Sequence, residues 1–139
     1  MPPKAFYHDK VIAALEADGW AITDDPLTLA FDGENRYPDP DQAREVIAAR
    51  KKTSGIVVIN KSFLGASLLR DLEEALGQYV IVRHLLEYRN DDRQLYLAVP
   101  ERTYESSFTD ELGRLVIENN QLQLIVFDEH QERIVKWVS

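Results

Sequence analysis

The chain has 139 residues, 45% hydrophobic and 29% charged, with no cysteine and a formal charge of −8 from 16 basic and 24 acidic side chains. This balance describes one globular domain over residues 1–139 and excludes a disordered chain, a disulfide framework and a thiolate metal site. No apolar run approaches 20 residues and the first ten lack a leader's apolar core, so a cytoplasmic protein with no membrane partner is expected; the acid excess argues against tight DNA binding by the chain alone.

Residues 4–19, KAFYHDKVIAALEADG, carry Phe6, Val11, Ile12 and Leu15 near helical spacing, and Gly19 supplies a stop. WAIT and LTLAFD then read as short strands broken by DDP. DGEN reads as a turn, and RYPDPDQA as a loop or the start of a short helix. REVIAARK, the turn KTSG and IVVINK form a predicted β-hairpin, its second arm rich enough in Val and Ile to be central and buried on both faces.

The longest helix is predicted over residues 66–89. Leu68, Leu72, Ala75, Tyr79, Val82 and Leu86 make its apolar stripe, while Glu73, Glu74 and Gln78 read as polar side chains turned to solvent. QLYLAVP is a buried strand. SFTDELGRLVIENN is a helix capped at Ser107 or Thr109, and QLQLIVFD and RIVKWVS are strands joined by EHQE. A strand, a long helix and another strand in succession predict a parallel crossover in a mixed central sheet flanked by helices, an α/β protein.

His8, His84 and His130 are too scattered for a metal motif, and Trp20 and Trp137 read as core aromatics. The informative stretch is the end of the central strand. Side chains two apart on a strand share a face, so an acid and a lysine spaced Glu-x-Lys point into one cleft. With a second carboxylate they hold Mg²⁺ and activate its water, and the lysine steadies charge on a phosphate. Here Lys61 is present and Asp39 lies upstream in Pro38-Asp39, but Ile59 stands where the glutamate belongs. Glu74, thirteen residues beyond Lys61, is the candidate relocated acid, giving a catalytic set of Asp39, Lys61 and Glu74 and a metal pair of Asp39 and Glu74. Asp71, Glu73 and Glu45 are weaker candidates.

MPPK, FYHDKVIAALEADGW, ITDDPLTL, KSFLG, LEEALGQY, LYLAVP and LIVFD…IVKWVS together resemble the XisH family over nearly the whole chain. The resemblance implies a restriction-endonuclease-like α/β core of the PD-(D/E)XK kind. It also implies a role in controlling excision of the fdxN element in nitrogen-fixing cyanobacteria, beside a site-specific recombinase, DNA and an XisI-like partner. A homo-oligomer is a further alternative. The family pattern resembles V-E-I-K-S-F, whereas this chain reads Val58-Ile59-Asn60-Lys61-Ser62-Phe63. Upstream, where the family resembles D-L-G-A-E…I-A-A-E-K, this chain has Asp39-Pro40-Asp41 and Ile47-Ala48-Ala49-Arg50-Lys51. Asp39 and Asp41 both fit the first acid. Where the family pattern has its second acid, this chain has Arg50. The expectation is a catalytically degenerate nuclease fold, acting by binding and needing no cofactor. The alternatives are an active Mg²⁺-dependent endonuclease using Glu74, and an interaction module that has left DNA altogether.

Overall fold

The structure is a computed structural model that describes residues 4–33, 35–37, 46–61, 63 and 67–139. The chain runs α1 (Lys4–Ala17), β1 (Ala21–Asp24), β2 (Leu29–Asp32), β3 (Asn35–Tyr37), β4 (Val46–Lys51), β5 (Ser54–Asn60), α2 (Leu68–Tyr88) and β6 (Gln94–Pro100). It continues through α3 (Glu101–Thr103), a π-helical turn (Tyr104–Phe108), α4 (Glu111–Asn120), β7 (Leu124–Asp128) and β8 (Arg133–Val138).

Six strands form one mixed sheet in the order β1-β4-β5-β6-β7-β8. β5, β6 and β7 are parallel, and the hairpin partners β4 and β8 run antiparallel to them. Strand alternation divides the core in two. Val46, Ala48, Val57, Ile59, Leu97, Val99, Leu124 and Val126 face α2, which contributes Leu72, Ala75, Tyr79, Val82 and Leu86. Ile47, Ala49, Ile56, Val58, Ala98, Ile125 and Phe127 face α1, which contributes Tyr7, Val11, Ala14 and Leu15. Two successive crossovers moving one way along a sheet place their helices on one side, so α2 and the α4 region share a face. α1 is left to cover the other. One helix is too narrow for six strands, and Trp20, Tyr96 and Trp137 cover more of that side as an aromatic cluster, with ring centroids 5.9 and 5.0 Å apart.

Several details depart from expectation. β3 forms a small hairpin with β2 where a loop or helix start is predicted. The cap of α4 is Asp110, whose side chain accepts from the Gly113 N–H at 2.7 Å, not Ser107 or Thr109. Leu68, placed on the apolar stripe, is 44% exposed, and Ser67, Leu69 and Arg70 beside it are exposed as well. Gln78, read as surface, is buried, as is Asp71.

Tyr79 ties the layers together. Its hydroxyl donates to the Leu95 carbonyl and accepts from the Gln123 N–H, each at 3.2 Å, joining α2 to the starts of β6 and β7. Tyr79→Phe keeps the ring and strands a buried N–H. A loss of about 1–2 kcal/mol is expected in urea unfolding at unchanged m-value.

Candidate functional site

β5 ends at the carboxyl edge of the parallel strands, where open α/β sheets place their ligands. Val57, Ile59 and Lys61 point to the α2 side, and Val58 and Asn60 to the α1 side. Ile59 is fully buried, in register between Val46 and Leu97, and belongs to the core cluster that contains Leu72 and Ala75. Lys61 lies just past the strand, and its Nζ stands 2.9 Å from Glu74 Oε2 on α2. The lysine is mostly sheltered and the glutamate half exposed, with side-chain exposures of 14% and 54%.

Glu74 is flanked one turn each way by Asp71 and Gln78, both buried, so α2 presents a polar line along the flank that carries the Lys61 contact. None of the three is without a partner. Of the residues singled out from sequence, the structure brings Lys61 and Glu74 together and puts Ile59 on their side of the sheet. Glu73 is exposed on the same helix. Asp39, Asp41 and Glu45 lie outside the described residues. Asn60 is the polar residue nearest the missing glutamate, but alternation turns it toward α1. There it is buried, with no hydrogen-bond partner for Oδ1 among the described residues.

A hard divalent cation needs converging oxygen ligands that are not already neutralised. At the glutamate position the chain offers hydrocarbon, and the carboxylate beside it is held by an ammonium group. Among the described residues no group of three or more His, Asp or Glu could hold a metal. The described part of the cleft therefore does not fit Mg²⁺.

A second polar cluster was not legible in the sequence. Arg102, just beyond β6, donates to the Tyr7 hydroxyl at 2.6 Å and to Glu129 Oε1 at 2.9 Å, which pins α1 to the ends of β6 and β7. Burial pushes the Glu129 carboxyl up, but hydrogen bonds from Tyr7 and Arg102 outweigh it and hold the group below the usual range. Asp91, three residues ahead of β6, is held low by the Arg93 side chain, whose Nε donates to it at 3.0 Å. A carboxyl depressed in the folded state adds stability above its unfolded pKa and loses it as pH falls through the folded value. Stability is therefore expected to drop below about pH 5. Asp91→Asn and Glu129→Gln together should lower the thermal midpoint at pH 7, with the deficit shrinking as pH falls below about 4.

A cleft of about 560 Å³ lies at the opposite, amino-terminal end of β6, between the last turns of α2 and α4. Its two guanidinium groups are spent on the protein, Arg93 on Asp91 and Arg83 on the Asn120 carbonyl.

The XisH protein family model matches residues 1–135. The structure is similar to that of an XisH family protein from Nostoc punctiforme PCC 73102, at 37% identity and a TM-score of 0.87 over 96% of this chain and 99% of that one. It is equally similar to a fdxN element excision controlling factor protein from Anabaena variabilis, at 38% identity and a TM-score of 0.87 over 97% and 99%. No curated protein matches the chain. The mixed sheet with its flanking helices is a restriction-endonuclease-like core, and the chain belongs to the XisH family.

Proposed function

We propose that this protein is an excision-control factor that works by binding a partner, DNA or both, on a PD-(D/E)XK scaffold that no longer cuts. The observation that carries the reading is Ile59. It is fully buried in the α2-side core where an endonuclease of this fold would present a metal-binding carboxylate. The scaffold around it is intact, and the lysine two residues on now closes an ion pair with Glu74.

The acid excess suits a chain that meets DNA in company. Its most concentrated run of exposed basic side chains, Arg50, Lys51 and Lys52, sits at the β4–β5 turn. That turn is the length of β5 away from Lys61, about 20 Å. A DNA contact made there is remote from the cleft. The expected partner is an XisI-like protein, with a site-specific recombinase acting on the same element.

The test is a gel shift of duplex DNA carrying the element's end, run with the chain alone and with an XisI-like protein. Retardation is expected only with both, weakening steeply with salt as phosphate contacts are lost. Failure to form a complex with either the partner or DNA would overturn the reading and leave an interaction module of another kind.

One observation favours a second reading. The Lys61–Glu74 contact puts one acid beside the amine, as an endonuclease with a relocated carboxylate requires. In that reading Asp39 and Glu74 hold Mg²⁺. Cleavage of plasmid or branched DNA that needs Mg²⁺ or Mn²⁺, and is lost in Glu74→Ala, would select it.

A further inference from the structure

The outward face of α2 carries a row that nothing among the described residues covers. Arg70, Glu73, Gly77, Ile81, His84 and Tyr88 recur at steps of three or four, which keeps them on one side of the helix. All six are exposed, Ile81 by 45% and Tyr88 by 71%. Among the described residues, the side chains of Arg70, Glu73, His84 and Tyr88 form no hydrogen bond or ion pair. A Cβ built on Gly77 meets nothing within 4 Å. The flanks of the helix are occupied. Arg89 Nη1 reaches the Ala30 carbonyl of the β2–β3 hairpin at 3.3 Å, and Arg83 reaches the Asn120 carbonyl at the end of α4.

The row complements itself when reversed. Two copies of α2 laid antiparallel, with a two-fold axis between Gly77 and Ile81, set each Ile81 over the open space at the other copy's Gly77. Arg70 then faces the ring of Tyr88 for a cation–π contact, and the Glu73 carboxylate faces the His84 ring for a hydrogen bond. Each of these pairings occurs twice, as a two-fold interface requires. Glycine is a poor helix former, and with no neighbour near Gly77 among the described residues its use here is explained by close approach of a second helix.

The sheet edges do not compete for a second copy. β1 is four residues long and its pairing is interrupted by an irregularity. β8 carries a register shift and the basic side chains Arg133 and Lys136. Both are features that discourage strand-to-strand pairing.

We propose that the outward face of α2 is a self-association surface, and that two copies of this chain pair across it through antiparallel α2 helices. The proposal does not rest on the reading of the Lys61 cleft. Sedimentation equilibrium on the full chain and two variants tests it. The wild type is expected to dimerise. Ile81→Asp and Gly77→Leu should each weaken the dimer by about tenfold or more. Gly77→Leu is the control for folding, since its side chain enters open space and replaces a weak helix former. Its thermal midpoint at low concentration should be no lower than the wild type's. A wild-type chain that stays monomeric at its highest soluble concentration overturns the proposal and frees the face for an unlike partner. A dimer that both variants retain unchanged overturns it as well.

Discussion

Ile59→Glu is expected to cost the fold about 3–5 kcal/mol at pH 7.5, the scale of an unpaired charge buried in a packed core. Ile59 is fully buried, and its strand neighbours Val46 and Leu97 offer no polar side chain. The nearest help is Lys61, on the same side and already engaged by Glu74. Burial raises the introduced carboxyl's pKa, so the penalty is full above that raised value and shrinks as pH falls toward the unfolded one. Urea unfolding should therefore show a smaller deficit at pH 5 than at pH 7.5. Millimolar Mn²⁺ is expected to recover part of the loss in this variant and to leave the wild type unmoved, because only the variant carries a carboxylate at the strand position two residues before Lys61. A variant as stable as the wild type would show that the position is not sealed as described.

Gly113→Ala carries the second large effect. Gly113 is buried in the first turn of α4, one turn behind the π-helical segment. A Cβ there would collide with the Ser107 carbonyl oxygen and approach Phe108 Cα and C to 2.5 and 2.8 Å. All of these are backbone atoms and cannot rotate away. In an open helix the change would gain up to about 1 kcal/mol. Here a net loss of about 2–3 kcal/mol is expected, because the π turn must shift and carry the buried Phe108 with it. A thermal midpoint several degrees below the wild type's is the readout. A neutral result would mean that this turn gives way easily.

The parts of the fold that the sequence announced are those with strong periodicity. IVVIN has to be a central strand because both of its faces are apolar, and the stripe from Leu72 to Leu86 admits one helix orientation. The parts it concealed lack such a signal. Residues 101–108 follow a proline and carry little apolar content, yet Thr103 and Phe108 are buried there because the chain must cross to α4 over the end of the sheet. Asn35–Tyr37 pairs with β2 although prolines follow immediately, since nothing bars a short strand ahead of them.

The candidate site divides in the same way. That Ile59 faces the cleft side and Asn60 the other follows from alternation alone, and so was legible. That Glu74 reaches Lys61 depends on where α2 begins, which no spacing rule fixes. Gln78 reads as solvated because it is polar on an amphipathic helix, and Asp71 as no more than a weaker candidate acid. Their burial comes from lying on the same flank as Glu74, beside the sheet. The Tyr7–Arg102–Glu129 cluster draws on three segments up to 122 residues apart in sequence, and only the folded sheet assembles it.

The most direct test of the central claim is calorimetric titration of the purified chain with Mn²⁺. The degenerate cleft should give no saturable heat, matching the heat of dilution. Stoichiometric binding that disappears in Asp39→Ala and in Glu74→Ala would contradict it, and would return the chain to the metal-dependent nucleases.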